Sequence, residues 1–128
     1  MTVSTLIRSG PDTDAFTVQS IRTLRADVLA ALGGGATAVS HIGARSSMRL
    51  KCASLGVPRR DWASISRWAW VNDAESMRAL DSYVDLMIAD RCWKLTDDLM
   101  SDLVLADVDG DGLTADDLRA VVVALVIA

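Results

Sequence analysis

Two short runs of uniformly apolar residues, LMIA at 86–89 and LVLA at 103–106, constrain the fold of this chain more than any other feature. Aliphatic runs of this length, bounded by polar residues, suit strands that are covered on both faces of a sheet. Stretches with helical spacing lie between and before them. Strand-like runs alternating with helical patterns predict an α/β domain: a small, largely parallel sheet with helices packed on it. The expected strands are 2–9 (TVSTLIRS), 36–42 (ATAVSHI), 84–90 (VDLMIAD) and 103–107 (LVLAD).

The clearest expected helix is 13–32. Val18, Ile21, Leu24, Val28, Leu29 and Leu32 recur there at helical spacing, with Arg22, Arg25 and Asp27 between them. Asp12 or Thr13 would cap its start, and the glycines at 33–35 would end it. Shorter helices are expected over 47–56, stopped by Gly56, and over 72–83, where Asn72 and Glu75 form a capping pair. A further one is expected over 96–102, capped by Thr96. A last helix follows Thr114, with Asp117 three residues on. The segment 62–71 (WASISRWAWV) fits a strand and a helix equally.

A chain of 128 residues is one domain of ordinary size, here 1–128, and its 51% hydrophobic content excludes disorder. Cys52 and Cys92 are too few for a disulfide framework and read as thiols, so the expected compartment is the cytoplasm. The longest apolar run, AVVVALVIA at 120–128, falls short of the roughly 20 residues of a membrane helix, so no membrane is expected. The chain stops inside that run. A docked native end and a longer chain lacking a polar C-terminal tail both explain this. The net charge of −4 divides unevenly: residues 1–72 carry +5 and residues 73–128 carry −9. Such a split suits self-association, and a homodimer is expected.

Candidate chemistry concentrates at 107–118, DVDGDGLTADDL. Asp107, Asp109 and Asp111 at alternate positions, followed by Gly112, have the D-x-D-x-D-G pattern of an EF-hand calcium loop, whose carboxylates suit a hard cation. The bidentate Glu of position 12 is replaced by Leu118, and Asp117 comes one residue early. The preferred reading is therefore a strand ending at Asp107, a glycine turn and a helix capped by Thr114, with no cofactor. The alternative is a calcium-binding module on Asp107, Asp109, Asp111 and Asp117. DLVLADVDG also resembles the third strand of a response-regulator receiver, but no acidic pair follows the first expected strand.

A basic stretch supplies the second candidate. Arg45, Arg49, Lys51, Arg59, Arg60 and Arg67 face one acid, Asp61, across 45–68, with Trp62, Trp68 and Trp70 among or beside them. Such interleaving suits single-stranded RNA, through phosphate pairing and base stacking, or a protein interface. The equivalent structural reading is a tryptophan core with a rim of solvated arginines. His41 lacks a second metal ligand nearby, the cysteines lack CxxC spacing, and the glycines at 33–35 end a helix rather than open one. No catalytic arrangement stands out, and no enzyme is expected.

Taken together, RTLRADVLAALGGG, RRDWASISRWAW and DLVLADVDGDGLTADDLRAVVVALVIA resemble the small assembly cofactor protein of the polymerase core of cystoviruses, bacteriophages with segmented double-stranded RNA. The resemblance implies a non-enzymatic structural protein of the virion interior. It would assist viral core assembly and RNA packaging through contacts with itself, the polymerase and other core or capsid proteins. It carries over no functional residue.

Overall fold

The computed structural model describes residues 17–108 and 111–128, with the side chains of 107, 108 and 111 left aside. Its elements are α1 (Val18–Ala31), a 3-10 turn (Leu32–Gly34), α2 (Gly35–Ala44), α3 (Met48–Leu55) and a second 3-10 turn (Arg59–Asp61). They continue with α4 (Trp62–Val71), α5 (Ala74–Trp93), α6 (Leu99–Val104), a two-stranded hairpin of β1 (Asp107–Val108) and β2 (Asp111–Gly112), and α7 (Ala115–Ile127).

Local chemistry starts five of these helices. Thr17, Ser47, Asp73, Asp98 and Thr114 each offer a side-chain oxygen to the backbone N–H three residues on, at 3.0, 3.1, 2.8, 2.9 and 3.1 Å. Each satisfies an amide that the first helical turn leaves without a partner. At α7 the arrangement is reciprocal, because the Asp117 carboxylate accepts the Thr114 N–H at 3.2 Å. Gly56 (φ 84°) and Asn72 (φ 53°) close α3 and α4 in the left-handed conformation. Glycine and asparagine adopt it most easily.

The expected α/β fold is overturned. Among the described residues the paired strands are two residues each and antiparallel, with Asp107 opposite Gly112 and Val108 opposite Asp111. The segment 36–42 is helical because Val39, Ile42 and Gly43 make one buried stripe. The segment 84–90 continues α5: Leu80, Val84, Met87, Ile88 and Arg91 are buried, while Leu86 is 71% exposed. An apolar run with one outward leucine is the inner stripe of a helix plus one surface residue, not a strand covered on both sides. In 99–106, Leu99, Met100 and Leu103 are fully buried and Leu105 is 66% exposed, which is again helical spacing. Asp98, not Thr96, caps that helix, and Asp73, not Asn72, caps α5. The ambiguous 62–71 is α4. The start of the first expected helix and the strand at 2–9 lie outside the described residues.

The core is formed by Val28, Val39, Leu55, Leu80, Leu99, Met100, Leu103 and Leu125, all inaccessible to solvent or nearly so. The helix α7 packs mainly on α2 and α5. Gly43 permits the closest approach: a Cβ there would collide with the Leu125 carbonyl oxygen and stand 3.0 Å from the Ala128 Cβ. Among the described residues, no helix is long and apolar enough to cross a membrane.

Candidate functional site

The last turn of α7 is flanked by two shallow grooves. One, of about 480 Å³, runs over Ala36, Thr37, Ser40, His41, Ala44 and Ala124. The other, of about 260 Å³, runs over Met48, Ser66, Ala69, Trp70 and Val126. Both share Ile127 and Ala128. Beside the second, α4 ends with Trp70 88% exposed and Val71 half exposed. The polar groups of the first groove are two hydroxyls and one imidazole, and the Ser40 hydroxyl is already donated to the Thr37 carbonyl at 2.7 Å. Such surfaces suit an apolar organic molecule or another protein segment. Among the described residues no Asp or Glu lines either groove.

Beneath this turn lies Lys51, 2% exposed. Its Nζ donates to the Val126 carbonyl oxygen at 3.3 Å and to the Ala128 backbone oxygen at 2.9 Å. Burial lowers its pKa, while the adjacent Cys52 acts in the opposite direction. Burial pushes the Cys52 thiol up to about 11, against the charge of Lys51. The sequence placed Lys51 on an RNA-facing surface. Its position one before Cys52 and four before Leu55 puts it on the inner stripe of α3, and that spacing was the overlooked signal.

A second buried cation sits where α5 meets α6. Arg91 donates through Nη2 to Asp98 at 2.9 Å and to the Gly56 carbonyl at 3.2 Å, and through Nη1 to the exposed Asp90 at 3.1 Å. The Thr96 hydroxyl donates to the same Asp98 oxygen at 2.6 Å. Burial pushes the Asp98 carboxyl up, but the hydrogen bonds from Arg91, Thr96 and Ser101 and the charge of Arg91 outweigh it, and the net shift is downward. A Cβ on Gly56 would stand 2.6 Å from Arg91 Nη2, so glycine is required there for space as well as for φ.

The other residues of the basic stretch do not gather into one strip. Arg45 follows α2, Arg49 lies on α3, Arg59 and Arg60 on the second 3-10 turn, and Arg67 on α4; all five are exposed. Arg59 lies over the Trp62 ring at 5.2 Å, and Trp62 donates to the Val57 carbonyl at 2.8 Å. Trp68 packs beside Tyr83 at 6.0 Å, and the Tyr83 hydroxyl donates to Asp61 at 2.6 Å. Trp62 and Trp68 are thus half-buried supports of α4, whereas Trp70 is surface.

The calcium alternative gains nothing. Asp109 and the side chains of Asp107 and Asp111 lie outside the described residues, and Asp117 is engaged with Thr114 in the cap of α7. No group of three or more His, Cys, Asp or Glu side chains able to hold a metal occurs among the described residues. The expected strand ending at Asp107 is replaced by α6 and the short hairpin, while the Thr114 cap is present.

No family model matches this chain, and no curated protein matches it. Solved structures do. A mutant of the mixed-function cytochrome P450 MycG in complex with mycinamicin IV matches at TM-score 0.59 and 25% identity, over 89% of this chain and 34% of that one. A second MycG mutant, with mycinamicin V, matches at TM-score 0.60 and 25% identity over the same shares. A mutant of cytochrome P450 EryK in complex with erythromycin B matches at TM-score 0.56 and 20% identity, over 93% of this chain and 36% of that one. The chain therefore spans about a third of the length of these structures.

These likenesses overturn the resemblance to a cystovirus assembly cofactor, and with it the expected non-enzymatic role in viral core assembly and RNA packaging. The structural neighbours are helical enzymes, and neither the expectation of no enzyme nor that of a calcium module survives the comparison. The expected absence of a cofactor is corrected as well, because cytochrome P450 enzymes use haem held by a cysteine thiolate. The described residues do not fit that group. Cys52 is wholly buried in the core and held in its neutral form, whereas a metal ligand must be a thiolate. Cys92 is exposed near the end of α5 and lines neither groove at the end of α7. His41 stands exposed in the shallow first groove, with no Cys, Asp or Glu among the described residues that line it.

Proposed function

We propose that this chain is a helical portion of a monooxygenase architecture of the cytochrome P450 type, to which it contributes scaffold and an apolar face rather than the haem ligand. The likeness over 89% of the chain to a third of MycG carries the reading. The exposed end of α4 and the grooves along α7 are the surface where such a portion would meet an apolar substrate or the haem-bearing part of the architecture. Trp70, Val71 and Ile127 are apolar side chains left in contact with solvent there, as a packing face without its counterpart would be.

The test is a chimera in which this chain replaces the matched third of MycG. Haem content and the absorption spectrum of the reduced, carbon monoxide-bound form are recorded beside circular dichroism. A helical chimera that retains haem with thiolate ligation supports the reading. A chimera that folds without haem, or does not fold, overturns it. The chain alone, titrated with haemin, should give no thiolate-type spectrum.

Self-association is a separate proposal, supported by the uneven charge and by Trp70 and Trp93, each nearly nine-tenths exposed. Sedimentation at low and high salt decides it, and a monomer in both ends it.

A further inference from the structure

We infer that the groove between α5 and the chain segment 56–61 binds a small organic cation, a primary amine with a short apolar body. The groove has a volume of about 330 Å³ and shares no lining residue with the grooves beside α7. One side of it is a strip of α5. Tyr83, Leu86, Met87 and Asp90 recur there at helical spacing and so share one face of that helix. Pro58, Arg60 and Asp61 line the rest. The charges do not cancel. Arg60 and Arg91 stand against Asp61, Asp90 and the buried Asp98 that Arg91 meets at 2.9 Å, which leaves one negative charge. Arg60 enters no ion pair among the described residues, so it does not close on Asp61.

Asp61 is the anchor. Its Oδ2 accepts the Tyr83 hydroxyl at 2.6 Å, and its Oδ1 has no hydrogen-bond partner among the described residues. Burial, and then Asp61 itself, push the Tyr83 phenol above its ordinary pKa, so it keeps its proton and goes on donating. Trp68 packs beside the Tyr83 ring at 6.0 Å. The carboxylate is thus held in place before a ligand arrives, which reduces the entropic cost of binding. Asp90, at the other end of the strip, gives only its Oδ2 to Arg91, at 3.1 Å. Leu86 and Met87 lie between the two ends, with Pro58 as further apolar lining. A hard metal ion needs about six or more oxygen ligands, and no group of three or more His, Cys, Asp or Glu side chains able to hold one occurs among the described residues. An anion would meet two carboxylates. An ammonium on an apolar body answers both the charge and the lining. The inference concerns a groove of this chain and does not rest on the monooxygenase reading.

The experiment is a titration of the full chain followed by amide NMR, with three probes of similar shape: 2-phenylethylamine, the neutral 2-phenylethanol and the anion 3-phenylpropanoate. At millimolar concentration the amine should shift the amides of Arg60, Asp61, Leu86 and Asp90. It should bind roughly tenfold or more tightly than the alcohol, the effect of one charged hydrogen bond. The anion should bind most weakly. Asp61→Asn keeps an acceptor for Tyr83 but removes the charge, and should erase the preference for amine over alcohol. Arg60→Ala removes the opposing charge and should tighten amine binding. Equal affinity for the three probes overturns the inference, and so does tightest binding of the anion. Absence of shifts with the amine, shifts confined to another surface, or a preference that Asp61→Asn leaves unchanged also overturn it. Should Asp61→Asn fail to fold, Asp90→Asn is read in the same way, and the order of the probes on the wild-type chain still decides.

Discussion

The two buried cations of this chain are held by opposite means. Arg91, 8% exposed, meets a carboxylate, Asp98, that is 7% exposed and fixed in turn by Thr96 and Ser101. Lys51, 2% exposed, donates among the described residues to the Val126 and Ala128 oxygens. In the first region the charge is neutralised, and the partner also caps α6, so a loop and two helix ends depend on one node. In the second no Asp or Glu side chain among the described residues pairs with the ammonium, which is held by main-chain oxygens. Burial of a charge therefore says little by itself. What holds the cation decides what its loss disturbs, and a cation paired with a carboxylate that also caps a helix disturbs both.

The largest expected effect breaks the first region. Asp98→Ala removes the partner of a buried guanidinium together with the α6 cap and should destabilise by roughly 3–5 kcal/mol in urea unfolding. A loss below about 1 kcal/mol would show that Arg91 reaches water and that the two regions are alike. Next, Gly43→Ala adds a Cβ that must displace the backbone of α7 at Leu125. The expected cost is roughly 1–3 kcal/mol, with accelerated exchange in the last turn of α7 and not in its first. The third test sits at the other end of the same helix. Thr114→Ala removes one half of a solvent-exposed capping box and should cost about 1 kcal/mol, fraying the start of α7 while the Lys51 end keeps its protection.

The smallest expected effect is a pair of slopes of the same sign, one in the acid and one in the alkaline range, each with stability rising with pH. The Asp98 carboxyl is depressed in the folded chain, so its contribution is full above its ordinary value of 3.8 and lost as pH falls through the lower folded value. Lys51 is lowered by burial, so between its folded value and its ordinary 10.5 the unfolded chain binds the extra proton and stability rises with pH. Denaturant unfolding of wild type and Lys51→Met across the alkaline range checks the second slope, which the Met variant should lack. An unchanged slope in that variant would assign it to another group.

A haem-thiolate enzyme needs one cysteine poised as a thiolate, and Cys52 beside Lys51 has the cationic neighbour that such poise uses. Burial nevertheless outweighs that neighbour and holds the thiol neutral. The presence of a cation next to a thiol in sequence is thus no guide to its reactivity. The surrounding desolvation decides.

Two helix ends were legible residue by residue, because a cap is a contact within four positions: Thr114 announces the start of α7 and Gly56 the end of α3. Where two capping residues compete nearby, at Asn72 and Asp73 or Thr96 and Asp98, the sequence left the choice to the geometry of the preceding turn. The fold class was not legible. Runs such as VDLMIAD and LVLA are too short to separate a period of 2 from one of 3.6, and ATAVSHI is rich enough in small and β-branched residues to suit either. Only packing decided: Val84, Met87 and Ile88 turn to one side because α7 lies there, Leu86 is left outside, and Gly43 serves α2 because a neighbouring backbone approaches it. The same holds for the candidate site. Composition placed Lys51 among surface arginines and Trp70 among core tryptophans, and tertiary structure exchanged them. A side chain's exposure depends on the face its helix turns to its neighbours, and that face is set by contacts far away in sequence.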